Sequence, residues 1–274
     1  MRRRATVPAR INIIGEHTDY SGGLSLPFTT EYQLILEAQE RISGFTGDDL
    51  VIELWKTAGG WPADLSVTSS IPIGKGLSSS AALCVAVVLC SQGEQPSLEV
   101  AKEAQRIEWE ILGTPCGLLD QLAMLNAKKG HSCLIDFSNF NIKSVPIPEN
   151  WYFKLVDSNI SRTLSSTNYR ADPSTINNHV IEENSRVLQS IKASPMELGE
   201  LLNQSHSSLI SLGVSLPEID LQIESLRTVE GVLGARMMGG GFGGMILVLV
   251  DHPDVLPNHT LICSSGPAVL EEIL

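Results

Sequence analysis

Residues 71–82 read IPIGKGLSSSAA and run directly into ALCVAVVLC, so a glycine-serine loop is joined to a segment that is apolar nearly all round. A helix over 79–90 with no polar face must be buried on every side, which obliges the chain to build layers around it. The same join makes an anion site. The first helical turn presents backbone N–H groups without intrahelical partners, and the aligned peptide dipoles add partial positive charge there. Gly74 and Gly76 let the backbone approach a ligand with no Cβ in the way, and Lys75 adds one mobile cation. Ser78, Ser79 and Ser80 either cap the helix or offer hydroxyl oxygens to a magnesium ion. An ordinary capped helix start would read the same way in isolation. Neither GxxxxGK[ST] nor GxGxxG describes the loop.

Three further constellations restrict the reading. In PARINIIGEHTDYSGG (8–23), an alternating apolar run ends in Gly15 and releases Glu16, His17, Asp19 and Tyr20 together, just beyond Arg10. Two carboxylates, an imidazole and a phenol within one turn suit a ligand with several hydroxyls, although a plain polar hairpin turn has a similar composition. In TPCGLLDQ (114–121), Gly117 interrupts a helical region and Asp120 lies between Leu119 and Gln121. That carboxylate is either partly exposed or held ionised beside a cation and poised for proton transfer. Upstream, helical spacing lets only one of Glu108 and Glu110 share a face with Ile107 and Ile111, which aims one carboxylate toward a metal. Finally GARMMGGGFGG (234–244) precedes strand-like MILVLV and is either backbone bent closely around something or a glycine-rich hairpin.

Taken in this N-to-C order, GEHTDY, PxGxGLSSSAA, CGxxDQ and GxRMxGGGFGG resemble the galactokinase branch of the GHMP small-molecule kinases over most of the chain. KGHSCLIDFSN, SSTNYR and NQSHSSLISLGVSLPEID extend the similarity. The resemblance implies an α+β, two-domain GHMP kinase fold, with a ribosomal protein S5 domain 2-like N-terminal domain, a ferredoxin-like C-terminal domain and the active site in the cleft between them. It implies phosphoryl transfer from ATP to the anomeric hydroxyl of galactose, with Mg²⁺. By the same resemblance Asp120 and Arg10 are the catalytic pair, and Glu16, His17, Asp19, Gly117 and Tyr169 contact the sugar. Gly74, Gly76, Leu77, Ser78, Ser79, Ser80, Gly240 and Gly241 line the nucleotide, and Ser80 and Glu108 ligate magnesium. A kinase for another sugar such as N-acetylgalactosamine or arabinose, and a catalytically weak sugar- and nucleotide-binding sensor, are the alternatives. The chain departs from the family in the interval 40–65, where a helical segment carrying adenine-packing aromatics has no clear counterpart; Trp55 and Trp61 there are expected in the core. Met238 stands where threonine is common. Ala9 replaces a usual glycine, which matters only if that position needs positive φ.

The 274 residues suit one large or two modest domains, and a boundary is expected near Glu149, after the Pro146 and Pro148 break, giving segments 1–149 and 150–274. With 31 acidic against 19 basic residues and a net charge of −12, the chain is a poor fit to nucleic acid. Arg2, Arg3 and Arg4 are followed by no apolar stretch of signal-peptide type, and no run is long enough to span a bilayer, so the cytoplasm is expected; the chain is also expected to be a monomer. Five cysteines, odd in number and without CxxC spacing, read as reduced thiols. Strands are expected over 9–14, 33–39, 50–55, 66–70, 132–137, 236–238 and 246–250. Helices are expected over 98–112, 175–191, 195–212 and 217–228, with a last short helix in GPAVLEEIL.

Overall fold

The computed structural model of the chain describes residues 1–72, 74–160 and 173–273. In chain order its elements are β1 (Arg2–Asn12), β2 (Leu24–Ser25), β3 (Pro27–Glu40), α1 (Asp49–Thr57), β4 (Ala63–Ser69), α2 (Ser79–Gln92), α3 (Ser97–Leu112), α4 (Leu119–Asn126), β5 (His131–Asp136), β6 (Asn141–Pro146), β7 (Tyr152–Asp157), α5 (Pro173–Ser190), α6 (Pro195–Ser211), α7 (Pro217–Arg227), β8 (Val232–Met237), β9 (Met245–Val250) and β10 (Val269–Ile273). The described strands form three antiparallel sheets, ordered β10-β1-β3-β4, β2-β5-β6 and β7-β9-β8. This is the expected α+β layout.

The uniformly apolar helix α2 occupies the centre. Ala82, Cys84, Val85, Ala86, Val87, Val88 and Cys90 are all fully buried, and α2 packs on β1 and β3 and against α3. In the second half, α6 and α7 cover β8, and Ile219, Ile223, Val248 and Val250 form a separate core there.

Two expected elements are corrected. Residues 50–55 are helical in α1, and the reason is legible afterwards: Val51, Leu54 and Trp55 are buried at i, i+3 and i+4, and Asp48 caps the N-terminus by accepting from the Leu50 and Val51 amides. Trp55 is fully buried, with its indole N–H donating to the Trp61 carbonyl at 2.7 Å, so the tryptophan sits in the core as expected. The C-terminal segment is the strand β10 and not a helix. It pairs with β1 in the register Arg2↔Ile273 to Thr6↔Val269, covering an edge that β1 would otherwise expose. Arg3 meets Glu272 at 2.9 Å and Arg2 meets Glu37 at 2.9 Å, which gives the N-terminal arginines local partners. β10 belongs to the segment 150–274 of the expected division, so the two segments share the first sheet.

Candidate active site

β1 delivers Arg10 and then the polar turn. Its ladder to β3 slips between Pro8 and Arg10, where Thr30 to Tyr32 of β3 lie opposite the single residue Ala9. Ala9 is fully buried and is not among the positive-φ residues, so alanine serves where glycine is usual. Arg10, almost wholly buried, donates from Nε to Asp120 Oδ1 at 2.5 Å and from a terminal nitrogen to the Gly76 carbonyl at 3.1 Å. One side chain thus joins the end of β1, the first turn of α4 and the glycine-serine loop.

The turn after β1 closes on itself: Thr18 Oγ1 lies 2.9 Å from both the Gly15 and Leu24 carbonyls, and Ser21 and Gly23 donate back to the Thr18 carbonyl. His17 adopts φ 56° and its Nδ1 lies 2.8 Å from the Tyr20 hydroxyl. Asp19 Oδ2 accepts from the Leu119 amide at 3.4 Å, at the start of α4. Burial first, and then the neighbouring Asp120 and Glu16 carboxylates, push the Asp19 carboxyl up to about 6. Gly117 makes this approach possible, because a Cβ placed there would lie 1.7 Å from Asp19 Oδ2. Gly117→Ala is therefore expected to displace Asp19 and, on the sugar-contacting role that the family resemblance implies for it, to raise the sugar KM about tenfold with the ATP KM little changed in steady-state kinetics.

Glu16 has a second task that the sequence reading missed. It is 3% exposed, and its Oε1 accepts from the Gly239 amide at 2.7 Å and meets Arg236 at 3.2 Å. Arg236 is completely buried and also donates to the carbonyls of Asn12, Ile13 and Met237 at 2.5, 2.8 and 3.0 Å. The glycine-rich motif is thereby bolted to the turn that follows β1. Arg236 stands inside GARMMGGGFGG, and its only sequence signal was a lone cation beside a run of glycines.

Ser78, in the left-handed region at φ 59°, precedes α2 without capping it by a side-chain hydrogen bond, so the first-turn amides are left to other acceptors. Gly74 and Gly76 have φ 71° and 76°. Leu77 is buried in the core, which leaves its backbone as the part facing the loop. Lys75 pairs with Asp157 at 2.5 Å, and its carbonyl accepts from the Met245 amide, so the loop is also held by the second half of the chain. Gly244 backs directly onto the Lys75 carbonyl. Gly241 backs onto the carbonyl of Val214. Gly240 is buried in the same loop, and Tyr169 lies outside the described residues.

Of the two candidate glutamates, Glu108 is the inward one at 2% exposure, and Glu110 pairs on the surface with Arg106 at 2.6 Å. Glu108 accepts from Ser80 Oγ at 2.7 Å and from the Gln121 side-chain Nε2 at 2.9 Å. Burial pushes its carboxyl up to about 7, with the Asp120 charge adding to the effect and the Ser80 bond opposing it. A carboxylate and a hydroxyl, both hard oxygen donors at the head of α2, fit a magnesium ion that takes its other ligands from water and phosphate. Among the described residues no group of three or more His, Cys, Asp or Glu side chains could hold a metal by itself. The nearby Cys116 thiol is pushed far up by burial and by the Glu108 and Asp120 charges, so it stays protonated. All five cysteines are free. Among the described residues no helix is long and apolar enough to cross a membrane.

Known proteins resemble the chain in sequence and in fold. Residues 3–39 match the galactokinase galactose-binding signature, 46–128 the GHMP kinases N terminal domain and 188–258 the GHMP kinases C terminal domain. The galactokinase of Thermotoga maritima is 35% identical across an alignment of 310 positions, gaps included, that takes in 90% of this chain and 89% of that protein. The galactokinase of Glaesserella parasuis is 30% identical, over 94% and 88% of the two chains. In fold, the crystal structure of Lactococcus lactis galactokinase complexed with galactose superposes with a TM-score of 0.85 at 24% identity, covering 98% of this chain and 95% of that one. The Methanococcus jannaschii mevalonate kinase superposes with a TM-score of 0.71 at 17% identity, covering 96% and 98%. The order of motifs, the architecture and these relatives together make the chain a member of the galactokinase family of GHMP kinases.

Proposed function

We propose that the chain transfers the γ-phosphoryl group of ATP to the anomeric hydroxyl of galactose, giving galactose 1-phosphate and ADP. The observation that carries this reading is the Arg10–Asp120 pair: Arg10 bonds the Gly76 carbonyl of the glycine-serine loop, and the Asp120 charge acts on Asp19 of the hydroxyl-binding turn, which accepts from the Leu119 amide next to Asp120. Glu16, His17 and Asp19, with Gly117 giving room and Tyr169 completing the set, bind the sugar. The 74–80 loop and the open N-terminus of α2 bind the phosphates, with Gly240 and Gly241 shaping the wall. Ser80 and Glu108 would hold Mg²⁺, which when bound supplies positive charge against the phosphate oxygens.

Phosphoryl transfer through a loose transition state needs positioning and charge neutralisation more than covalent help. Asp120 Oδ2, the oxygen not engaged by Arg10 Nε, orients the anomeric hydroxyl and accepts its proton as the new O–P bond forms and the bond to ADP breaks. Arg10 fixes the Asp120 rotamer and adds positive charge beside the reacting oxygen. We place the protein in the cytoplasm as a monomer with its functional halves meeting near residue 149.

The test is ADP release with ATP, Mg²⁺ and a panel of hexoses, repeated across pH. Galactose-dependent release is the expected result. Turnover with another hexose alone would change the substrate, and sugar binding without turnover would make the chain a sensor. The pH dependence has a definite sign. Asp19 accepts sugar hydroxyls best when ionised, so galactose affinity falls as pH drops through about 6, by up to about tenfold per unit. Folding stability responds oppositely. A carboxyl raised from 3.8 to about 6 contributes stability that is full below the lower value and lost as pH rises through the upper one.

A further inference from the structure

We propose that Glu183 is a positioning residue for hexose binding, holding from behind the backbone of the turn that carries Glu16, His17 and Asp19. The inference rests on reading that turn as the sugar site. Glu183 lies on α5, more than 160 residues along the chain from the turn, and is completely buried. Its Oε1 accepts from the Gly15 amide at 3.0 Å and from Ser205 Oγ at 2.6 Å, and its Oε2 is held by Arg186 Nε at 2.7 Å. Two nearby residues of α5 grip the turn elsewhere. Asn184 Oδ1 accepts from the Leu24 amide at 2.7 Å. His179 Nε2 donates to the Glu16 carbonyl at 2.9 Å while its Nδ1 lies 2.8 Å from Ser208 Oγ, and since a carbonyl only accepts, Nε2 carries the proton. At positions i, i+4 and i+5, these three side chains fix the beginning, the first functional residue and the end of the turn.

The turn needs such an anchor. His17 sits at φ 56°, a conformation that a non-glycine residue keeps only where its surroundings over-determine it. Asp19 is placed to within a methyl group's width by Gly117, so a small shift of the backbone would move the hydroxyl-binding carboxylates out of register. A fully paired buried carboxylate is a costly way to fill space, and an apolar residue would fill it as well. Its geometric effect on Gly15 is what an apolar residue could not reproduce.

The test is steady-state kinetics of the full chain, varying galactose and ATP separately, with Asp19→Asn as a reference. Glu183→Ala is expected to raise the galactose KM about tenfold with the ATP KM held within about twofold. Glu183→Gln is expected to recover part of the loss, because its amide oxygen still accepts from the Gly15 N–H while its NH2 group cannot accept from Arg186. Asn184→Ala is expected to show the same selective rise, and it decides the matter if Glu183→Ala does not fold. An unchanged galactose KM in folded Glu183→Ala, or equal changes in both KM values, overturns the inference. If Asp19→Asn raises the galactose KM and neither α5 variant does, the positioning role alone is lost. If Asp19→Asn itself leaves the galactose KM unchanged, the reading of the turn fails and the inference fails with it.

Discussion

Asp120→Asn is expected to lower kcat by about a hundred- to ten-thousand-fold, the range typical of general acid–base help, while galactose binding measured by calorimetry changes only a few-fold. The amide has the shape of the carboxylate, and Arg10 keeps its bond to the Gly76 carbonyl, so the local structure has a second anchor. What is lost is the anionic acceptor for the sugar proton and the negative charge opposite Arg10, whose Nε can still donate to the amide oxygen. A second signature follows from electrostatics. The Asp120 charge is the second-largest cause of the raised Asp19 carboxyl, after burial, so removing it should lower the pH at which galactose affinity falls away. A variant with near-normal turnover would remove Asp120 from the reaction. A variant that bound galactose normally with an unmoved pH midpoint would mean that the two carboxylates do not sense one another.

Arg236→Ala is expected to lower stability by about 3–5 kcal/mol, because it leaves the Glu16 carboxylate buried with its cation removed and strips donors from three backbone carbonyls. For a chain of this size that corresponds to roughly a 10 °C fall in Tm, measurable by calorimetry. Arg236→Lys should recover only part of the loss, since one ammonium cannot reproduce the guanidinium fork that reaches Asn12, Ile13 and Glu16 at once. The cycle with Glu16→Gln separates the terms. If the charge pair matters, Glu16→Gln should make Arg236→Ala less damaging, whereas purely additive effects would assign the loss to the carbonyls alone.

Much of the site was legible because its chemistry is carried by short contiguous segments. Gly15 to Asp19, Gly74 to Ser80 and Gly117 to Asp120 each pair glycine freedom with polar side chains at fixed spacing, and a turn or helix start places such neighbours together by local geometry alone. The fully buried α2 was legible for a similar reason, since a helix apolar on all faces has nowhere else to go. Local pattern misled at 50–55, where the short apolar segment LVIELW was read as a strand and the Asp48 cap with i, i+3, i+4 burial won. It also misled at the C-terminus, where the partner strand β1 is more than 260 residues away and decides the conformation by pairing.

What the sequence determined by itself, then, is the chemistry: which carboxylates, hydroxyls and glycines meet within each segment, because propensity and spacing act over a few residues. Tertiary structure alone decided the joins between segments. Glu16 was readable as a candidate sugar contact but not as the partner of Arg236, and Glu183 and Asn184 carried no signal at all, since nothing in a helix sequence says which distant backbone amide its buried acceptors will face. Such contacts arise when layers pack, and a buried charge then takes whichever partner spares it an unpaired state.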